Sequence, residues 1–175
     1  MVEEGESIAQ DCRSAIQEAI EFTEACSAEG WKAITSEEGW PVAAVVRHIA
    51  EAGKVLIGFA AEMAAGSDVE TTTDEIDAWN AANLDDWSQT TREEAIRLLS
   101  EAGSLAARSV GTYSRQQLAS WHGFAIYGQR RTTARMVQGF ALHTLEHLEC
   151  ARAAALRPSG AGNLAAAERH RHTSG

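Results

Sequence analysis

Residues 142–148 read Leu142-His143-Thr144-Leu145-Glu146-His147-Leu148, two imidazoles four positions apart in a run free of glycine and proline. At about 100° per residue, Met136, Phe140, His143, His147, Ala151 and Ala154 fall within an arc of roughly 80°, so the spacing predicts a helix with both rings on its core face. This helix starts near Thr132 or Thr133 and reaches Ala155, before Arg157-Pro158 stops it. Pro41 and Pro158 are the only prolines, and the stretch between them is rich in Ala, Glu, Leu and Arg. That composition favours an all-α fold.

Three further helical segments precede it. The first runs from about Ser7 to Cys26, with Ile8, Cys12, Ile16 and Ile20 at helical spacing and Gly30 marking the exit. The second begins at Trp40-Pro41, where proline suits the first helical position, and continues through Val45, Ile49, Leu56, Phe59 and Met63 to Gly66-Ser67. Thr72 with Glu75 and Thr91 with Glu94 read as two capping boxes, opening two pieces of one bent third helix. Trp121-His122-Gly123 and Tyr127-Gly128 read as a connection. Helices of about 20 residues are roughly 30 Å long and suit a four-helix bundle, and connections of about 10 to 20 residues leave room for a crossover topology. The bundle is expected over residues 1–157; residues 158–175 lack apolar periodicity and read as a flexible tail.

Composition narrows the class. A chain of 175 residues with 45% hydrophobic and 23% charged residues is ordinary globular material for one domain. No apolar run approaches the roughly 18 to 20 residues of a membrane-spanning helix, and the opening residues are acidic where a signal peptide is basic. Cys12, Cys26 and Cys150 are odd in number and lack CxxC spacing, which gives no disulfide framework or thiolate zinc site. A cytoplasmic protein without membrane partners is the expectation. The net charge of −10 divides unevenly: residues 1–120 hold 22 acids and 8 bases, residues 121–175 hold 3 acids and 7 bases. No nucleic-acid module is recognisable and no aromatic platform interleaves with the bases, so nucleic acid is not an expected partner.

Imidazoles at positions i and i+4 lie about 5 to 6 Å apart, close enough to grip one metal ion. By itself such a pair is a weak signal, since packed histidines arise the same way. Glu146 and Glu149 fall beside the histidine arc, so His143-Thr144-Leu145-Glu146-His147 is not the HExxH of a zincin. A third candidate ligand is His48, on the flank of the second helix's apolar arc near Ala52, Val55 and Phe59. On its residues alone it reads equally as a boundary histidine donating to a carbonyl.

Two blocks of the chain resemble the DinB/YfiT-like superfamily of metal-dependent four-helix bundles. Gly39-Trp40-Pro41 through Val46-Arg47-His48-Ile49-Ala50 is similar to that family's Trp-led second helix with its first metal histidine, and His143 to Leu148 to its fourth-helix HxxxH. Asp77-Ala78-Trp79-Asn80 followed by Thr91-Arg92-Glu93-Glu94-Ala95 is similar to the third-helix entrance. The likeness spans about residues 7–157. It implies that His48, His143 and His147 bind one divalent metal, zinc before nickel, iron or manganese, with a position left open as in catalytic sites. It further implies an enzyme that activates a low-molecular-weight thiol or water against a small electrophilic substrate, as a transferase or hydrolase. The alternative is a non-catalytic, metal-stabilised stress-response or binding bundle. Homodimerisation through an exposed helix face is compatible with either.

Other residues carry weaker expectations. Asn80 is a ligand-contacting or helix-kink residue, and Trp79, Trp87 and Trp121 are pocket or core residues. His122, beside Gly123, reads first as solvent-facing and second as a proton carrier or fourth ligand. Arg130, Arg131 and Arg135 fall at a helix N-terminus, where they are either solvated or receive a carboxylate or phosphate. His170 and His172 form an HxH in the tail that binds metal adventitiously, and the three cysteines read as small core residues.

Overall fold

The computed structural model describes residues 3–157. In chain order the helices are α1 (Glu3–Ala25), α2 (Ala28–Lys32), α3 (Val42–Ala64), α4 (Thr73–Trp87), α5 (Arg92–Thr112) and α6 (Arg115–Ala119). An antiparallel hairpin, β1 (Trp121–Phe124) and β2 (Gln129–Thr132), then leads into α7 (Thr133–Ala155). The architecture is an all-α bundle of α1, α3, α5 and α7. Both α1 and α3 pack against α5 and α7, which places α1 diagonal to α3 and α5 diagonal to α7. The connection holding α2 joins the diagonal pair α1 and α3, and the one holding α6 and the hairpin joins the diagonal pair α5 and α7. Residues 158–175, including the expected tail, Pro158 and the His170/His172 pair, lie outside the described residues. Among the described residues, no helix is long and apolar enough to cross a membrane.

Helical periodicity accounts for the core. On α1, Ile8, Cys12, Ala15, Ala19 and Thr23 are buried while acids and glutamines take the other face. The helix begins four residues before Ser7, and Glu4 and Glu6 in its first turns suit the positive end of the dipole. α3 is apolar over most of its circumference, because α5 and α7 flank it and α4 lies against it. Pro41 stands one position outside α3, as its N-cap rather than its first residue, held by a bridge to Ile34.

Two expectations need correction. The third helix is not one bent rod. The four residues Ser88 to Thr91 separate α4 from α5, where Trp87 is buried and the Trp31 indole donates to the Thr90 carbonyl at 2.9 Å. The capping box at Thr72 and Glu75 is complete, whereas at Thr91 only half exists: Thr91 Oγ1 accepts from the Glu94 N–H, but the Glu94 carboxylate turns to Arg47 at 2.9 Å. The connection before α7 is also partly strand. Trp121 pairs with Thr132 and His122 with Arg131, Gly128 turns the chain at φ 58°, and Val69 bridges the outer edge of β1 through Gly123 and Ala125.

Close approach of α3 and α7 depends on Gly53. A Cβ there would meet Phe140 Cδ2 at 2.9 Å and Cε2 closer still, whereas at Gly58, on the same helix, nothing lies within 4 Å. Gly53→Ala is expected to destabilise by about 1–3 kcal/mol through overpacking. Gly58→Ala is expected to stabilise by up to about 1 kcal/mol through helix propensity. Urea denaturation of the two variants checks both signs.

Candidate metal centre

The α3–α7 contact brings His48 against His143 and His147. The ring centroids lie 5.1 Å apart for His48 and His143, 4.9 Å for His48 and His147, and 4.3 Å for His143 and His147. One ring nitrogen from each histidine lies within 4.8 Å of the other two. His48 is 5% exposed, and Trp40 and Trp87 each approach it with ring centroids 5.5 Å away. Trp79 stacks edgewise on Trp87 at 5.0 Å, extending the aromatic wall.

This crowding keeps the His48 and His143 rings neutral. Burial, reinforced by the neighbouring charge of His147, pushes the His48 pKa down from 6.5 to about 4, against a smaller opposing pull from Glu38. Burial and the two other imidazoles hold His143 well below the ordinary histidine value. A neutral imidazole presents a lone pair, the form a metal requires. Two nitrogens, His48 Nδ1 and His143 Nε2, are buried without a hydrogen-bonding partner among the described residues. Orphaned polar atoms of this kind cost about 1–3 kcal/mol each, and a bound ion is one way of satisfying such a cluster. Three convergent imidazole nitrogens, those of His48 and His143 held neutral, fit a divalent ion of the zinc type.

His147 has a different partner. Its Nδ1 lies 2.8 Å from Glu38 Oε1. Burial acts to raise the Glu38 carboxyl, but hydrogen bonds from Thr35, its own backbone N–H and His147 outweigh it and leave the pKa below the ordinary value. A carboxylate there fixes the proton on His147 Nδ1 and directs Nε2 away from it, the arrangement found behind metal-binding histidines. Glu38 reaches this position from the loop before α3, where Gly39 adopts φ 72°.

Beside the histidines lies a cavity of about 590 Å³. Its lining combines apolar side chains such as Leu56, Phe59 and Ile76 with Trp40, Trp79, Asn80, Arg131, Glu38 and Glu146. A family model for the DinB superfamily matches residues 12–151. The chain belongs to the DinB superfamily. No curated protein matches the chain.

Within this DinB bundle the residues singled out from sequence separate clearly. His48, His143 and His147 come together; Asn80 and Trp79 line the cavity, and Trp87 lies behind His48. Trp121 is exposed and outside the lining. His122 is neither solvent-facing nor part of the lining: it is buried on β1, with Nε2 3.0 Å from Ser120 Oγ and Nδ1 3.9 Å from Asp68. Arg130 and Arg131 belong to β2 rather than a helix N-terminus. Arg130 donates to the Trp121 carbonyl, and only Arg135 lies in the first turn of α7. Cys12 and Cys26 are core residues, and burial pushes Cys12 up to about 12. Cys150 is not a core residue: its thiol lies 3.1 Å from Glu37, and with Glu37 and Glu38 it forms a second, more exposed group of donor atoms within 4.8 Å. Sequence reasoning missed Glu38 and the cavity-lining positions of Glu146 and Arg131. The signal for Glu38 was its position immediately before the block from Gly39 to Ala50 that carries the family likeness.

The neutral state of His48 sets a pH dependence. With a folded pKa of about 4 against 6.5 in the unfolded chain, the unfolded state takes up the proton first as pH falls. The stability is therefore complete above pH 6.5 and lost between there and about pH 4. For metal-free protein His48 alone accounts for about 3 kcal/mol over that window. Urea denaturation at pH 7 and pH 4.5 is expected to show a smaller pH effect in His48→Gln than in the parent, with His143 supplying what remains; equal effects would contradict the assignment.

Proposed function

We propose that His48, His143 and His147 hold one divalent metal ion, zinc first, and that the protein is a metal-dependent enzyme acting on a small electrophilic molecule. The observation that carries this reading is the convergence of three imidazoles at the wall of a cavity large enough for a small ligand. When bound, such an ion supplies Lewis-acid chemistry that lowers the pKa of a thiol or water at its open position. S-transfer from a low-molecular-weight thiol is the first reaction proposed and hydrolysis the second. A cytoplasmic setting, in which thiols stay reduced, suits both the reaction and the chain's free cysteines.

The chain's own residues have distinct tasks in this reading. Glu38 keeps the proton on His147 Nδ1 and fixes the ring's orientation. Trp40 and Trp87 pack against His48 and exclude water from that side. The apolar wall formed by Leu56, Phe59 and Ile76 receives the body of the substrate. The cavity is what favours an enzyme over a bundle in which metal serves stability alone.

Metal analysis tests the site. Full-length protein carrying His170→Gln and His172→Gln is expected to hold about one zinc per chain, and His147→Ala to lose it. Glu38→Gln is expected to weaken zinc about 10–100-fold in competition with a chromophoric chelator. Full zinc occupancy in His147→Ala would refute the site.

Activity separates the chemistries. Zinc-loaded protein is expected to accelerate alkylation of cysteine or glutathione by monobromobimane, and His147→Ala to abolish the acceleration. Acceleration of 4-nitrophenyl acetate hydrolysis without thiol dependence would assign the water chemistry. Zinc binding with neither reaction would favour the non-catalytic bundle.

A further inference from the structure

The cavity beside the histidines also carries information about what enters it. Its volume, about 590 Å³, lies within the roughly 300–1,000 Å³ usual for small-molecule sites. Most of its wall is apolar, so the polar groups that interrupt the wall determine orientation and selectivity. Three side chains there have no place in the histidine cluster or its supporting contacts: Arg131, Asn80 and Glu146, of which only Arg131 carries a positive charge.

Among the described residues, Arg131 is the one Lys or Arg side chain lining the cavity. Its guanidinium carbon lies 5.3 Å from the centre of the Phe124 ring, a cation–π contact that fixes the charge at the cavity wall. The strand beneath it is firmly placed. His122 pairs with Arg131 across the hairpin, Val69 exchanges hydrogen bonds with Gly123 and Ala125, and Asp68 accepts from the Gly123 N–H at 2.6 Å. A planar guanidinium on a rigid element suits recognition of a carboxylate.

Asn80 supplies a second polar contact. Its Oδ1 is buried with no hydrogen-bonding partner among the described residues, although the side chain lines the same cavity. A buried acceptor left unmatched costs about 1–3 kcal/mol, a penalty that a ligand N–H or O–H removes. Formal charge points the same way as Arg131. With a divalent ion on three neutral imidazoles, the ion and Arg131 exceed Glu38 and Glu146 by one positive charge, which a single anionic group neutralises.

We propose that Arg131 and Asn80 are specificity residues that select a small organic monoanion, with an apolar body against the aliphatic and aromatic wall, a carboxylate at Arg131 and an N–H or O–H donor at Asn80. This rests on the metal-enzyme reading for its charge balance, while the contacts to Arg131 and Asn80 belong to the chain itself.

Hippurate is a suitable probe, because it combines a phenyl ring, one amide N–H and one carboxylate. Methyl hippurate removes the charge, and 3-benzoylpropanoate replaces the N–H by CH2. Isothermal titration of zinc-loaded full-length protein is expected to show hippurate binding about tenfold more tightly than the ester and about fivefold more tightly than the CH2 analogue. Arg131→Gln should erase the first difference and leave the second, with Arg131→Lys restoring part of it. Asn80→Leu should erase the second and leave the first, without lowering the melting temperature.

Zinc content measured on the same samples distinguishes the two levels of the account. Loss of zinc binding counts against the metal reading, whereas the comparison of Arg131→Gln with the parent still reports anion selection in the metal-free chain. Absence of hippurate binding, equal binding of acid and ester, or a charge preference that survives Arg131→Gln would overturn the proposal.

Discussion

Packing of α3 against α7 is the constraint on which the site depends. His48 belongs to one helix and the His143/His147 pair to the other, so the distance between these helices sets the distance between the rings. Gly53 lets Phe140 press against the α3 backbone one helical turn and a half from His48, and the imidazoles close to centroid distances of 4.3–5.1 Å. A bulkier side chain at that contact would separate the helices and the ligand set together. Fold stability and site geometry thus share one interface.

The electrostatic character of the cluster follows from the same packing. Burial disfavours the charged imidazole, and each ring disfavours charge on its neighbours, so His48 and His143 are held as neutral donors. Their unpartnered nitrogens are an unfavourable feature of the metal-free chain. Glu38 is the exception that completes the arrangement. It lies outside the ring cluster, holds His147 by Nδ1, and supplies a negative charge next to a group of lone pairs. Binding a cation would address the orphaned nitrogens and the unbalanced carboxylate together.

The sequence is most legible where a period is long. α1, α3, α5 and α7 each run for 21 to 23 residues, enough turns for apolar positions to reveal the buried face. His143 and His147 are legible as a pair because spacing within one helix fixes their relation. His48, on a separate helix, is not, and its role came from the resemblance of the surrounding block. The hairpin was missed because β1 and β2 have four residues each, too few alternations to declare a strand, and their edges are set by Val69 elsewhere in the chain. The break between α4 and α5 is likewise tertiary, tied to burial of Trp87 and the Trp31 indole on Thr90. Glu38 was hidden for a further reason: its reach to His147 depends on a left-handed Gly39, and loop conformation leaves no periodic trace.

The central claim is that three imidazoles from two helices share one ion. An anomalous-difference map collected at the zinc edge from crystals of the zinc-loaded protein addresses it most directly. The account predicts one strong peak about 2.0–2.1 Å from a ring nitrogen of His48, His143 and His147 alike. A peak seated instead on Glu37, Glu38 and Cys150, or no peak between the three rings, would contradict it.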